Sequence, residues 1–192
     1  MSQSLPQFTV RNATQDDIER VVSLYREGRY HSDSEVYPEY AIATYQDDEF
    51  YEFFKYKIEK PSDHGVSVYV GVNAQSEVVG FLVMGDADEE LQSYTNDFNR
   101  AAELHQIYID PEYQGQGLGK ALFQQCQKDA QSHKKQELFI NVLGSFHAQN
   151  EKAIGFYERM GASHISVLTE EKLRAGQTFQ LKCPLMKLCL KA

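Results

Sequence analysis

Hydrophobic and polar positions along the chain alternate with two rhythms, one of period two and one near 3.6, and their order predicts the elements. Phe8-Thr-Val-Arg alternates as a first strand. Thr14 with Asp17 three residues on has the form of a capping box, and Ile18, Val21, Val22, Leu24 and Tyr25 make the buried stripe of the helix it opens. Gly28 is placed to end that helix, with a polar loop from Tyr30 to Tyr37 behind it. Pro38 starts a second helical region through Ile58, crowded with Tyr40, Tyr45, Phe50, Tyr51, Phe53, Phe54 and Tyr56. Such a run is core material first, and its outer members could line a substrate mouth.

Val66 to Asn73 and Val78 to Met84 read as two strands of a hairpin across Ala74-Gln-Ser-Glu. Gly85 to Arg100 is a polar insertion, a surface loop or short helix whose Asp-Ala-Asp-Glu-Glu could form an acidic rim. A strand from Glu103 to Ile109 leads through a proline turn into a helix opening near Gly117, which buries Leu118, Ala121, Leu122, Cys126 and Ala130. Glu137 to Leu143 is the next strand and Asn150 to Met160 the next helix, stopped by Gly161. His164 to Leu168 and Phe179 to Leu190 are two last strands, with a polar loop over 170–177 between them. The fold class is therefore α/β (α+β): one mixed, mostly antiparallel twisted sheet of about seven strands flanked by about four helices.

At 192 residues the chain fits a single domain with its core over about 8–190. The 28 acidic against 19 basic residues leave a net charge of −9, which argues against nucleic acid and modestly favours a cationic small molecule. The opening Met1-Ser-Gln-Ser-Leu-Pro lacks a secretory signal, and Val78 to Met84 falls far short of the ~20 residues needed to span a bilayer, so no membrane partner and a cytoplasmic location are expected. Cys126, Cys183 and Cys189 show no paired spacing and suit reduced thiols. The six histidines are scattered without a ligand motif, so no metal is expected.

The glycines after the third central strand look built for a phosphate. A dinucleotide fingerprint from Gly115 and Gly117 would need a third glycine where Lys120 stands. A P-loop ending at Gly119-Lys120 would need a first glycine where Gln114 stands, and a Ser or Thr where Ala121 stands. What remains is Gln-x-x-Gly-x-Gly on Gln114, Gly117 and Gly119. Amides around Gln116, Gly117, Leu118 and Gly119, at the positive end of a helix, suit a pyrophosphate, and Gln114 can add a side-chain donor.

That loop resembles the acetyl-coenzyme A loop of the GNAT superfamily of N-acetyltransferases. The stretch Asn150-Glu-Lys-Ala-Ile-Gly-Phe-Tyr-Glu-Arg-Met-Gly161 is similar to the family's second signature, and the element order agrees along nearly the whole chain. The resemblance implies acetyl-CoA as cofactor, with its pyrophosphate on Gln114, Gly115, Gln116, Gly117, Leu118, Gly119 and Lys120. The backbone of Ile107, Tyr108 and Ile109 would take the pantetheine arm as an added strand. Asn150 would hydrogen-bond that arm and Ala153 leave it room; with Tyr157 they fall at i, i+3 and i+7 on one helix face. Tyr157 would protonate the departing thiolate. Glu103, or with less support His105, would take a proton from the attacking amine.

Simple alternation places Glu103, His105, Ile107 and Ile109 on one strand face and Leu104, Gln106 and Tyr108 on the other. The expected acceptor is a small-molecule primary amine, a cationic one such as a polyamine, with protein N-termini, lysines or an amino sugar as alternatives. A coenzyme A-binding sensor without catalysis is the competing class. Cys126, on the buried stripe, makes a covalent acetyl-cysteine route unfavoured. A homodimer through the C-terminal strands is also compatible with the resemblance.

Overall fold

A computed structural model describes residues 8–34, 37–39, 47–61, 65–142 and 151–190. Seven strands form one sheet: β1 Phe8–Asn12, β2 Val66–Asn73, β3 Val78–Asp86, β4 Ala101–Ile109, β5 Glu137–Asn141, β6 Ser163–Arg174 and β7 Gln177–Cys189. They lie in the order β1-β2-β3-β4-β5-β7-β6. β4 and β5 run parallel; the other neighbours are antiparallel. Four α-helices complete the described architecture: α1 Ile18–Ser34, α2 Asp47–Glu59, α3 Leu118–Ser132 and α4 Glu151–Arg159. None is long and apolar enough to cross a membrane.

Each sheet face is covered. Ile18, Val21 and Leu24 of α1 and Phe54 of α2 pack on Val66, Val68, Val70, Phe81 and Val83. On the other face Leu118, Leu122, Phe123 and Cys126 of α3, with Tyr157 of α4, pack on Leu82, Leu104, Leu138 and Ile140. The first turn of α3 lies tight on the sheet: a Cβ at Gly71 would stand 2.4 Å from a Leu118 methyl, so glycine there lets the helix start close to the strands. The Thr14–Asp17 capping box forms, and Arg11 pairs with the same Asp17 carboxylate at 2.6 Å.

Three local expectations change. Gly28 does not end α1, which continues to Ser34 and takes in the first half of the expected polar loop. Its role is close approach, since a Cβ there would meet the Tyr108 ring at 2.0 Å. A helical glycine costs about 1 kcal/mol relative to alanine without breaking the helix. The 170–177 segment is not a loop: β6 reaches Arg174 and turns into β7 through Ala175 and Gly176, at φ 47° and 76°. Paired left-handed residues match the twist of a two-residue hairpin.

The third change falls on β4. The pairing of β3 with β4 slips between Val83↔Gln106 and Met84↔Leu104, leaving His105 as an extra residue in a bulge. Side-chain parity is reset there. Ile107 and Ile109 join Leu104 in the core under α3 and α4, while Tyr108 packs beneath α1. Glu103 and His105 therefore do not share a face with Ile107 and Ile109, as unbroken alternation would have it.

Candidate active site

β4 and β5 are hydrogen-bonded only from Ala101↔Glu137 to Leu104↔Ile140. Beyond that point β5 stays with β7, through Asn141↔Leu185 and a bond from Val142 N–H to the Pro184 carbonyl, while β4 runs on to Ile109 paired, among the described residues, with β3. The two parallel strands thus open like a V. Among the described residues no strand pairs with β4 on this side beyond Leu104, and an extended ligand can add there as a strand. A cleft of about 190 Å³ fills the V, with Ile107 and Tyr108 on one wall, Asn141 and Val142 on the other, and Ala153 and Tyr157 of α4 at its base.

The glycine loop continues from the end of that edge. Gly115 and Gly117 hold φ of 74° and 95°, and a Cβ on either would point into open space. Those values are ones L side chains resist. Gly117 caps α3, and the N–H groups of Leu118, Gly119 and Lys120, beyond reach of any intrahelical carbonyl, meet no acceptor among the described residues. Three convergent amides at the positive end of a 15-residue helix, with the exposed Lys120 side chain beside them, form a cradle for a phosphate.

The side chains of this loop do other work. The Gln114 amide donates to the Ile109 carbonyl at 3.1 Å and ties the loop to β4, rather than standing ready for a ligand. Gln116 donates to the Glu112 carbonyl at 2.8 Å, and Leu118 is buried under the strands. In this geometry Gln116 and Leu118 offer backbone, not side chain. Asn150 lies outside the described residues.

On the other side of β4 a second, more polar cleft of about 400 Å³ opens between α2, the segment after β3, and β6. Glu103 and His105 line it with Asp88, Glu90, Glu170 and Lys57; His105, Gln106 and Asn141 border both clefts and join them. Glu103 is 6% exposed, and Oε2 accepts the Asp88 N–H at 3.1 Å. Burial pushes its carboxyl up to about 7; the Asp88 N–H opposes this, and the charges of Asp88, Glu90 and Glu170 reinforce it. Burial also lowers His105, as does Lys57, against the pull of Asp88 and Asp86, so its imidazole is neutral at pH 7. Its Nδ1 stands 3.9 Å from Glu103 Oε2.

Ligand atoms of Asp88, Glu103 and His105 all lie within 4.8 Å of one another. Sequence spacing suggested no such cluster because its members come from a turn and a bulged strand. They can grip one cation, and the cleft around them suits an ammonium.

Tyr157 packs against Phe156 and Phe123, with ring centroids 5.1 and 5.7 Å away. Burial, aided by Cys126 and Tyr108, drives its phenol well above the usual range, so the hydroxyl keeps its proton at neutral pH. Cys126 is buried with its thiol likewise raised, which excludes it as a thiolate nucleophile. The structure thus brings Glu103 and His105 into one cleft and Tyr157 and Ala153 into the other. Lys57, Gln106, Asn141, Glu170 and Lys172 were not singled out from sequence; the acidic segment after β3 and the aromatic run that includes Phe53 were the signals for this surface.

The model of the Acetyltransferase (GNAT) family matches residues 26–162. The chain belongs to this family. Among its relatives, the uncharacterized N-acetyltransferase MJ1207 of Methanocaldococcus jannaschii is 26% identical over 157 residues, 80% of this chain and 60% of that protein. The peptidyl-lysine N-acetyltransferase YjaB of Salmonella typhimurium is 30% identical over 94 residues, 49% of this chain and 48% of that one. The chain therefore spans roughly half to three-fifths of the length of these two relatives. The PaiA N-acetyltransferase of Thermoplasma acidophilum, solved with coenzyme A, superposes with a TM-score of 0.68 at 18% identity, covering 95% of this chain and 98% of that one. The overall fold is what this chain and that structure share.

Proposed function

We propose that the chain is an acetyl-CoA-dependent N-acetyltransferase acting by direct transfer to a primary amine, and that the acceptor is small and cationic, of the polyamine kind. The observation that carries this is a continuous ligand track. The β4 edge beyond Leu104, beside which no strand lies among the described residues, leads at one side to the N-terminal amides of α3 and at the other to the Glu103 cleft. The PaiA structure holds coenzyme A on the same fold, and the residues here fit that group: left-handed glycines at 115 and 117, a β4 edge with no strand beside it past Leu104 among the described residues, and a small Ala153 lining the gap.

Bound acetyl-CoA supplies an activated acetyl thioester. Amides of Leu118, Gly119 and Lys120 would hold its diphosphate, and the Ile107 to Ile109 stretch would orient the arm. Glu103, with its proton affinity near neutrality, takes a proton from the acceptor ammonium. Tyr157, kept protonated by burial, donates one to the leaving sulfur. Four carboxylates of the acceptor cleft, Asp88, Glu90, Glu103 and Glu170, stand against two lysines, of which Lys172 is already paired with Glu170 at 2.6 Å. That balance favours a positively charged acceptor.

The test is release of free thiol from acetyl-CoA against a panel of polyamines, amino sugars and lysine peptides. Release with the polyamines supports the reading. Release with the lysine peptides alone would move the acceptor to the class that the YjaB name specifies. Tight cofactor binding with no release for any acceptor would make the chain a coenzyme A sensor.

A further inference from the structure

Two lysines among the described residues reach the acceptor cleft, and they are held differently. Lys172 is locked to Glu170 at 2.6 Å. Lys57, in the last turn of α2, makes no ion pair and no hydrogen bond among the described residues; its Nζ rests over the Phe53 ring, 4.7 Å from the centroid. It lines the same cleft as Glu103 and Gln106, and its charge is felt at His105. A primary amine on a flexible stem thus stands where the external acceptor is expected.

We propose that Lys57 is itself an acetyl acceptor: when acetyl-CoA is bound and no external amine fills the cleft, the chain acetylates its own Lys57 and so closes its acceptor site. This rests on the acetyltransferase reading. Burial already lowers the proton affinity of Lys57, against the pull of Asp88, which raises the share of free amine. Glu103 takes the ammonium proton and passes it to water. Nζ then adds to the acetyl carbonyl, the N–C bond forms, and the C–S bond breaks with its electron pair leaving on sulfur. The second Nζ proton is matched by the one the sulfur acquires. The products are Nε-acetyl-lysine, coenzyme A thiol and one released proton. The modified side chain is neutral and longer by an acetyl group, so it blocks the mouth by its bulk and not by its charge.

The experiment incubates the full chain with acetyl-CoA and no amine, and follows intact mass. The expected result is one added acetyl group, about 42 Da, per chain. Digestion after glutamate isolates Phe53 to Glu59, which contains Lys55 and Lys57, and fragmentation places the group on Lys57. An accepted amine at ten times its KM should slow the incorporation about tenfold, by competition for one cleft. Glu103→Gln should slow it as well, whereas surface acetylation by acetyl-CoA alone would not respond. Lys57→Arg should abolish the label on that peptide. Acetylation of an external amine with Lys57 left unmodified overturns this inference alone. Label on Lys55, Lys172 or scattered lysines at rates indifferent to the amine does the same. Transfer to neither amine nor Lys57 overturns the acetyltransferase reading with it.

Discussion

Replacing Glu103 with glutamine tests the site through two independent readouts. The Glu103 carboxyl has an ordinary value of 4.5 and is pushed up to about 7 by burial in the folded chain. Between those values the folded state binds a proton that the unfolded state has released, so stability falls as pH rises and levels off above about 7. At about 1.36 kcal/mol for each pH unit of difference, ionising Glu103 costs the fold roughly 2–3 kcal/mol between pH 5 and pH 8. Glutamine has the same shape and no charge to desolvate. Urea unfolding of both proteins at pH 5 and pH 8 should therefore show the variant gaining that amount relative to the parent at the higher pH. The second readout is kcat/KM for the amine. In the parent it should rise with pH and break near 7, where Glu103 becomes able to accept a proton. In Glu103→Gln it should be lower by about 10²-fold or more and continue rising through 7 without a break, since only free amine then reacts. Stability curves that run parallel would refute the burial argument. A break near 7 that survives the substitution would refute the base assignment and move it to another group.

Tyr157→Phe removes the proton donor but keeps the ring packed on Phe123 and Phe156, so kcat should fall about 10- to 10²-fold while acetyl-CoA affinity, read by calorimetry, stays unchanged; unchanged turnover would end the acid role. Gly117→Ala forces a side chain to φ 95°, at a cost of about 1–2 kcal/mol, and should weaken coenzyme A binding more than it lowers the melting temperature; equal binding would show that the cradle tolerates the change. Gly28→Ala drives a methyl into the Tyr108 ring, should destabilise the chain by about 1–3 kcal/mol in urea unfolding, and should raise the KM for acetyl-CoA because Tyr108 borders its cleft.

What could be read from the sequence divides along a physical line. The glycine loop was legible because its demand is local: φ of 74° and 95° at Gly115 and Gly117 selects glycine whatever surrounds it. The α4 signature was legible through helical spacing, which puts Ala153 and Tyr157 on one face in any context. That Ile107 and Ile109 lie on the face opposite Glu103 was not, because the bulge is set by how β3 pairs with β4, and no residue within β4 announces it. Gly28 was misread for the same kind of reason: what requires a glycine is Tyr108, eighty positions away, not the end of a helix.

The β6 error carries the most information about function. Strands are read by an apolar face alternating with a polar one. In Glu170-Glu-Lys172 that contrast is missing because the face toward the cleft is polar too: Glu170 accepts from the Asn141 amide and pairs with Lys172. Burial alone would raise the Glu170 carboxyl, and those two partners hold it below the ordinary value instead, so it stays charged at the cleft. A strand whose inward face is polar loses the hydrophobic signal by which strands are recognised. The segment was unreadable as a strand because Glu170 and Lys172 turn toward a polar cleft, and Lys57 lines the same cleft from a helix otherwise read by its aromatics.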